Sequence, residues 1–153
     1  AIIPLTQGEF AVIDAADISI VSGLTWRAVR LNGRLYAATW TPYINGKRQW
    51  VLLHRMLLAA PSNMQVDHVD ADGLNCRRRN IRLATHAQNQ WNIGKTARNT
   101  SGYKGVTASR GRWQARIGFE RRLIYIGTFG TPEEAHAAYA AMAEKLHGEF
   151  ACS

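Results

Sequence analysis

The sequence of 153 residues contains few cysteines and no long apolar run. Its two cysteines, Cys76 and Cys152, lie far apart without a Cys-x-x-Cys pair, which argues against a disulfide scaffold and against a zinc knuckle. The missing apolar run argues against a membrane-spanning helix, and Ala1–Pro4 lacks the charged-then-apolar order of a signal peptide. We therefore expect a reduced, intracellular (cytoplasmic) protein.

Acidic residues are also scarce. The chain has 11 Asp and Glu against 19 Lys and Arg, which gives a net charge of +8 and an isoelectric point near 10.1. Such a balance favours a polyanionic partner, and without a membrane segment the favoured partner is nucleic acid. Apolar residues make up 46% of the chain, enough for one medium or two small folded domains.

Short strands and tight turns are predicted for the first fifty residues. Phe10–Ile13 is a candidate strand, and Asp14–Asp17 offers an N-cap for a brief helix that Gly23 would end. Asn32-Gly33 and Asn45-Gly46 each stand between β-forming residues. Because Asn-Gly tolerates the positive φ angles of a type I′ turn, the region is predicted to be a three-stranded antiparallel meander.

The segment from Leu52 to Ala60 is predicted to be a short helix that is broken at Pro61. Its His54 is surrounded by apolar residues. A buried or structural histidine is therefore the favoured interpretation of His54, and a catalytic one is the alternative.

The stretch from residue 66 to residue 92 combines several polar groups in a basic setting. Val66–Val69 is a predicted strand that carries Asp67 and His68 on opposite sides. Asn80–Leu83 is predicted to return as a second strand after an arginine-rich loop. Thr85-x-x-Gln88 then forms a capping box that starts a helix, with Asn89 about one turn inside it.

This combination resembles the HNH endonuclease family, the ββα-metal nucleases, and in particular its phage and intron-encoded homing branch. By that resemblance His68 is the general base that activates water, and Asp67 and Asn89 are the ligands of one Mg²⁺ or Mn²⁺ ion. Asn80 corresponds to the middle Asn of the motif, which braces the loop. A neutral imidazole and one hard cation together suit hydrolysis of a phosphodiester to 5′-phosphate and 3′-hydroxyl ends.

Basic side chains next to this motif are predicted to hold the flanking phosphates of DNA. They are Arg77, Arg78, Arg79 and Arg82. An ordinary basic surface without catalysis is the alternative interpretation of the stretch.

The C-terminal third carries most of the net charge: eight basic residues and one acid lie between Lys95 and Arg122. Three alternating segments, near residues 103–109, 112–119 and 123–128, predict antiparallel strands. Trp113, Ala115, Ile117 and Phe119 share one face of the middle strand, opposite Arg112, Gln114 and Arg116. Thr131–Glu134 forms a capping box for a final helix, which Gly148 would end.

Residues 99–151 resemble the AP2 domain, in which a three-stranded sheet packs on one helix and reads DNA. The motifs are Ser101–Val106, Gly111–Ile117, Tyr125–Phe129 and Thr131–Ala135. By this resemblance four side chains meet the major groove, namely Lys104, Arg112, Arg116 and Tyr125. A plain basic surface with non-specific affinity is the alternative.

The predicted fold class is α+β: a ββα-metal HNH module preceded by a small antiparallel β meander and followed by an AP2-like three-stranded sheet with one helix. The expected domains are 1–94 and 101–153, joined by a linker at 95–100. We expect an endonuclease that acts on double-stranded DNA and has no membrane partner. The sequence does not determine the oligomeric state. The alternatives are a non-catalytic DNA-binding protein with an inactive HNH fold and an RNA-binding module, which the sequence disfavours for lack of an exposed aromatic pair.

Overall fold

The computed structural model describes residues 1–43, 45–95 and 99–152, and shows a mixed α+β chain of small sheets and few helices. The predicted α+β class is confirmed. The chain divides into two compact units, Ala1–His86 and Ala87–Ser153. The predicted linker at 95–100 lies partly outside the described residues, so the predicted domain boundaries remain a prediction.

In its described residues the first unit contains three antiparallel sheets, two short α-helices and two 3-10 helices, Thr6–Gly8 and Ala15–Asp17. In chain order its elements are β1 (Ile2–Pro4), β2 (Phe10–Val12), α1 (Ile18–Val21), β3 (Arg27–Leu31), β4 (Arg34–Trp40), β5 (Trp50–Leu52), α2 (Leu53–Leu57), β6 (Gln65–His68) and β7 (Ile81–Ala84). Strand β1 pairs with β2, β4 lies between β3 and β5, and β6 pairs with β7.

The predicted three-stranded meander is confirmed as β3–β4–β5. Asn32 and Gly33 have φ angles of 49° and 82°, and Asn45 and Gly46 have 51° and 71°, so both Asn-Gly pairs adopt positive φ as expected. Gly73, in contrast, is required for space. A methyl group there would collide with the Leu35 carbonyl and approach the Tyr36 ring to 2.7 Å, so the loop after β6 packs directly on β4.

Three local predictions for this unit need correction. Helix α2 is shorter than predicted and ends at Leu57, because the chain turns at Ala59 with a φ of 46°. Neither Asp14 nor Asp17 makes a side-chain capping bond; the Asp14 carboxylate accepts from the backbone N–H of Arg78, and the Asp17 carboxylate accepts from the Arg78 guanidinium. Trp40 and Trp50 form an exposed aromatic pair with ring centroids 5.2 Å apart, so the absence of such a pair is no argument against RNA.

A single apolar core holds this unit together. Its most deeply buried large side chains include Ile13, which follows β2, and Leu53, the first residue of α2. Trp26 is also buried and donates its indole N–H to the Val21 carbonyl at 3.2 Å. Ile81 of β7 joins the same core, which fixes the β6–β7 pair to the rest of the unit.

The second unit is a three-stranded antiparallel sheet with helices before and after it. Its elements are α3 (His86–Asn92, whose first residue closes the first unit), β8 (Val106–Ser109), β9 (Arg112–Phe119), β10 (Arg122–Phe129) and α4 (Pro132–His147). Strand β9 lies in the middle. The turns at 110–111 and 120–121 adopt positive φ at both positions, as hairpin turns require.

Alternation along β9 separates the core from the basic face as predicted. Ala115 and Ile117 are buried against Ala135 and Tyr139 of α4, and Arg112 is exposed on the opposite face. The capping box of α4 is also confirmed. The Thr131 hydroxyl accepts from the Glu134 N–H at 3.2 Å, and the Glu134 carboxylate accepts from the Thr131 N–H at 3.4 Å.

Within the described ranges no helix is both long and apolar enough to cross a lipid bilayer.

Candidate functional site

The β6–β7 pair presents two polar side chains of opposite orientation at its end. Asp67 lies opposite Arg82 and His68 lies opposite Ile81 in the antiparallel register. Both side chains are buried, with exposed fractions of 4% for Asp67 and 6% for His68. Because neighbouring residues of a strand point to opposite faces, each has its own surroundings.

Asp67 is held by its cross-strand neighbour. The Nε and Nη2 of Arg82 both donate to Oδ2 of Asp67, at 2.9 and 2.8 Å. The Arg82 side chain is 16% exposed and that of Asp67 5%, so the ion pair lies mostly away from water. Arg82 therefore neutralises the carboxylate that sequence analysis predicts to be a metal ligand.

His68 lies among rings and a thiol. The ring of His54 packs edge-on against it with a centroid distance of 4.9 Å, and the ring of Tyr36 lies at 5.9 Å. The Sγ of Cys76 lies 3.9 Å from the Nε2 of His68. His54 and Cys76 are buried as well, with 5% and 0% of their surface exposed.

Burial decides the protonation of these groups. It lowers the pKa of His68, although the carboxylates of Asp70, Asp67 and Asp72 act in the opposite direction. It also lowers the pKa of His54 to about 3, with further contributions from the charges of His68 and Arg55. His68 is therefore a neutral imidazole near pH 7, which is the form that accepts a proton.

The loop between β6 and β7 is closed by Asn80. Its side-chain carbonyl accepts from the Asp70 N–H at 3.1 Å, and its amide donates to the Asp70 carboxylate at 2.9 Å and to the Asn75 carbonyl at 2.7 Å. The backbone carbonyl of Asn80 also accepts from the N–H of Val69 at 2.9 Å. One buried asparagine thus connects the start, the middle and the end of the loop.

Asp70 gains from the same network. Burial alone would raise the pKa of this carboxyl, but hydrogen bonds from Asn75, from the Asp72 backbone and from Asn80 together hold the pKa below its usual value. The loop therefore keeps a carboxylate charge on the side of His68.

Strand β2 fixes the loop from its other side. The N–H of Cys76 donates to the Val12 carbonyl at 2.8 Å, and the N–H of Val12 donates to the Leu74 carbonyl at 2.9 Å. These bonds place the Cys76 thiol beside His68, where it donates to the Gly73 carbonyl at 3.7 Å. Burial raises the pKa of the thiol to about 12, with support from the charges of Asp72 and Asp70.

The arginines predicted to hold phosphates have different surroundings. Arg78 binds the Asp17 carboxylate through Nε and Nη2, at 3.0 and 2.7 Å, so its guanidinium already has an anionic partner. Arg82 binds Asp67 as described. Arg79 is exposed and Arg77 is half-buried. The contact of these four side chains with DNA remains a prediction.

Asn89, the second predicted metal ligand, lies in α3 in the part of that helix assigned to the second unit, and is half-buried. Its role as a ligand remains a prediction.

On the sheet of the second unit, three of the four predicted DNA contacts share a face. Tyr125 lies directly opposite Arg116 in the β9–β10 register and is 57% exposed. Arg112 is exposed on the same side of β9, four residues before Arg116. Lys104 is placed differently: it precedes β8, and its ammonium donates to the Trp91 carbonyl at 2.5 Å. Burial lowers the pKa of Lys104 accordingly.

His147, near the end of α4, has a structural role. Its ring is stacked on Trp91 with a centroid distance of 4.4 Å and bonds the Gly118 carbonyl at 3.0 Å.

Sequence reasoning missed the grouping of His54 and Cys76 with His68. A ligand atom from each of the three lies within 4.8 Å of the other two. No local spacing rule joins these positions, because they come from a helix, a strand and a loop. The one available signal was a histidine in an otherwise apolar helix.

The ligand atoms of these side chains are of types that bind divalent metal ions. Asp67 offers a hard carboxylate, which suits Mg²⁺ or Mn²⁺. The group of His54, His68 and Cys76 offers two nitrogens and one sulfur, which suit a softer ion.

Comparison with known proteins identifies relatives of this site. The sequence profile of a family described as HNH endonuclease matches residues 59–91, which include β6, β7 and most of α3. An uncharacterized HNH endonuclease of Acanthamoeba polyphaga mimivirus is 33% identical over 151 residues, which cover 95% of this chain and 74% of that protein. Protein 3.8 of Escherichia phage T7 is 33% identical over 93 residues, 60% of this chain and 76% of that protein.

Part of the chain is also similar to plant transcription factors. An AP2-like ethylene-responsive transcription factor of Arabidopsis thaliana is 50% identical over 56 residues. The match covers 34% of this chain and 10% of that protein.

Proposed function

Because the chain belongs to the HNH endonuclease family, we propose that it is a metal-dependent DNA endonuclease in which His68 activates the attacking water. The reaction would hydrolyse a phosphodiester to a 5′-phosphate and a 3′-hydroxyl, as a nick or as a double-strand cut. The observation that carries this proposal is the pair of adjacent residues at the end of β6: a buried carboxylate, Asp67, and a buried neutral imidazole, His68.

His68 has the properties of a general base. Its burial keeps the ring neutral near pH 7, and the neutral imidazole is the form that can take the proton of a water molecule that attacks phosphorus. The Asp70 and Asp67 carboxylates lie close enough to raise its pKa, so they stabilise the imidazolium that forms as the proton arrives. Tyr36 and His54 pack against the ring and hold its orientation.

Asp67 and Asn89 are the residues proposed to hold one divalent ion, Mg²⁺ or Mn²⁺. When bound, such an ion supplies charge neutralisation to the phosphate and to the departing 3′ oxygen. Asp67 is neutralised by Arg82 in the structure, so its carboxylate would share its charge between the guanidinium and the cation. A ligand set of one carboxylate and one amide implies weak binding that water and substrate complete.

Asn80 is proposed to act as a positioning residue. By bonding Asp70 and the Asn75 carbonyl it fixes the loop that carries Cys76 and the carboxylates near His68. Four arginines are proposed to hold flanking phosphates, namely Arg77, Arg78, Arg79 and Arg82. Arg78 and Arg82 already have carboxylate partners, so the exposed Arg79 is the one most available to bind a phosphate.

The sheet of the second unit is proposed to place the nuclease on double-stranded DNA. Arg112, Arg116 and Tyr125 form a basic, exposed face, and side chains of these types bind phosphates and base edges. The similarity to AP2-like transcription factors supports this proposal. Lys104 is a weaker candidate because its ammonium already donates to a backbone carbonyl.

A second candidate function is non-catalytic DNA binding with an inactive HNH fold. The ion pair between Asp67 and Arg82 favours it, since a carboxylate already paired with a guanidinium attracts a cation less strongly. The two functions share the basic sheet and differ in whether DNA is cut.

Nicking of supercoiled plasmid distinguishes them. The intact chain is incubated with plasmid and Mg²⁺ or Mn²⁺, with EDTA as the metal-free control. The proposed function predicts open-circular or linear product with metal and none with EDTA. Binding of DNA without any product under either metal would leave the non-catalytic function.

A further inference from the structure

The described residues contain one group of three possible metal ligands that is separate from the proposed ligands Asp67 and Asn89. Its members are His54, His68 and Cys76. One ligand atom from each lies within 4.8 Å of the others, and the Nε2 of His68 is 3.9 Å from the Sγ of Cys76. In a tetrahedral zinc site nitrogen and sulfur ligands are separated by roughly 3.3–3.7 Å, as follows from Zn–N near 2.0 Å and Zn–S near 2.3 Å. The group therefore needs to contract by about 1.5 Å at most to enclose an ion.

A second observation concerns one nitrogen of His54. The Nδ1 of His54 is buried and has no hydrogen-bond partner among the described residues. Only 5% of the surface of this residue is exposed. Buried polar atoms are normally satisfied, so such an atom requires an explanation. A bound ion that draws the His54 ring toward it, or a ring rotation that brings this nitrogen to the ion, supplies one.

The three residues are held by independent parts of the unit. His54 comes from α2, His68 from the end of β6, and Cys76 from the loop that β2 fixes through the Val12 carbonyl. Imidazole nitrogen and thiolate sulfur are ligands that zinc uses in proteins, and three protein ligands are the number found in catalytic zinc sites. Two nitrogens and one sulfur select zinc or cobalt over Mg²⁺ and leave a fourth position for water.

We propose that His54, His68 and Cys76 form a binding site for a soft divalent ion such as zinc, distinct from the hard Mg²⁺ or Mn²⁺ site. On binding, the S–H bond of Cys76 breaks, its proton passes to solvent, and a metal–thiolate bond forms, while both imidazoles bind as neutral ligands. The oxidation state of the ion and of the sulfur does not change.

This site has a consequence for catalysis, and that part rests on the proposed function. A ring nitrogen of His68 that binds zinc has no lone pair for the proton of the attacking water. Zinc would therefore inhibit the Mg²⁺-dependent reaction by occupying its general base, and the free zinc concentration would set the active fraction of the enzyme.

Cobalt(II) is the probe for the binding part, because a thiolate ligand gives Co²⁺ a charge-transfer absorption in the near ultraviolet. The reduced, metal-free full chain is titrated with Co²⁺ and then with Zn²⁺. The expected result is one Co²⁺ per chain with thiolate absorption, which Zn²⁺ displaces. No thiolate absorption in the wild-type chain would overturn the proposal.

The chain offers a matched control, since it has two cysteines. Cys76→Ser is expected to lose the thiolate absorption and to weaken zinc binding by more than the roughly 10–100-fold that loss of an outer-sphere contact causes. Cys152→Ser is expected to bind like the wild type, and His54→Gln to bind more weakly. Retention of the signal in Cys76→Ser, or its loss in Cys152→Ser, would overturn the assignment.

X-ray absorption of the zinc-loaded wild-type chain tests the ligands without any variant. One sulfur and two imidazole nitrogens are expected, and a shell of oxygens alone would contradict the site.

Plasmid nicking in Mg²⁺ with added zinc tests the inhibition separately. If nicking is absent without zinc, the proposed function fails while the cobalt result stands. If nicking occurs and zinc does not inhibit it, the regulatory part fails alone.

Discussion

Asp67 and Arg82 face each other across the β6–β7 pair, and two nitrogens of the guanidinium donate to the same carboxylate oxygen at 2.9 and 2.8 Å. The pair sits next to the proposed general base, so it links the stability of the strand pair to the charge of the site. Removing one partner and removing both should therefore have different effects.

Arg82→Ala is expected to destabilise the first unit by about 2–4 kcal/mol, because it leaves a buried carboxylate without its partner. The double variant Asp67→Asn with Arg82→Met should recover part of this loss, since no charge is then left buried. Urea denaturation followed by circular dichroism measures both. Arg79→Ala is the control, because Arg79 is exposed and its removal leaves no buried carboxylate among the described ion pairs without a partner. Equal losses for Arg82→Ala and Arg79→Ala would contradict the burial argument.

Acid should destabilise the first unit through its buried histidines. The pKa of His54 is lowered in the folded state from 6.5 to about 3. As the pH falls below 6.5 the unfolded chain binds a proton that the folded chain does not, so stability is full above pH 6.5 and falls toward pH 3. His68 acts in the same direction. Each histidine contributes a slope of at most about 1.4 kcal/mol per pH unit.

Denaturation midpoints at pH 7, 5.5 and 4.5 measure this dependence. His54→Gln removes one titrating group and should reduce the slope, whatever its effect on stability at pH 7. A slope that is the same in the variant and the wild type would show that His54 is not the group responsible.

Gly73→Ala should be destabilising, because the added methyl group meets the Leu35 carbonyl and the ring of Tyr36. Overpacking of this kind costs about 1–3 kcal/mol, which corresponds to a fall in Tm of several degrees for a chain of this size. Gly94→Ala is the matched control, since nothing lies within 4 Å of the added carbon and its φ is not positive. Thermal unfolding of both variants is the measurement, and equal Tm values would contradict the close approach of the loop to β4.

The exposed face of β9 and β10 should carry most of the DNA affinity. Arg112→Ala with Arg116→Ala is expected to weaken binding and to lower the slope of log K against log salt by about two, because two phosphate contacts are lost. The control is Arg30→Ala with Lys47→Ala, which removes the same charge from the first unit. Gel shifts at several salt concentrations measure the slope, and unchanged binding of the sheet variant would exclude this face as the contact surface.

Short-range patterns predicted much of the fold. The Asn-Gly pairs at 32–33 and 45–46 define hairpins because only a few residues tolerate two positive φ angles in sequence. The Thr131–Glu134 capping box and the alternation of Ala115 and Ile117 with exposed arginines are equally local signals. Each depends on residues within one turn or one strand, so the sequence alone sufficed.

The contacts that define the site are long-range and were not predictable in this way. The partner of Arg82 is Asp67, fifteen positions earlier, and the partner of Arg78 is Asp17, sixty-one positions earlier. Identical arginines in one basic run therefore differ in what they bind. The meeting of His54 with His68 and Cys76 depends in the same way on how α2, β6 and the loop pack, which no spacing rule describes.

The central claim is that His68 is the general base of a metal-dependent nuclease, and single-turnover nicking tests it most directly. Rates in Mg²⁺ are compared for the wild type, His68→Ala and His86→Ala, an exposed histidine at the start of α3, with DNA affinity measured in parallel. The account predicts that His68→Ala lowers the rate by about 10²–10⁴-fold with affinity retained, and that His86→Ala stays close to wild type. A His68→Ala variant that nicks DNA at the wild-type rate would contradict it.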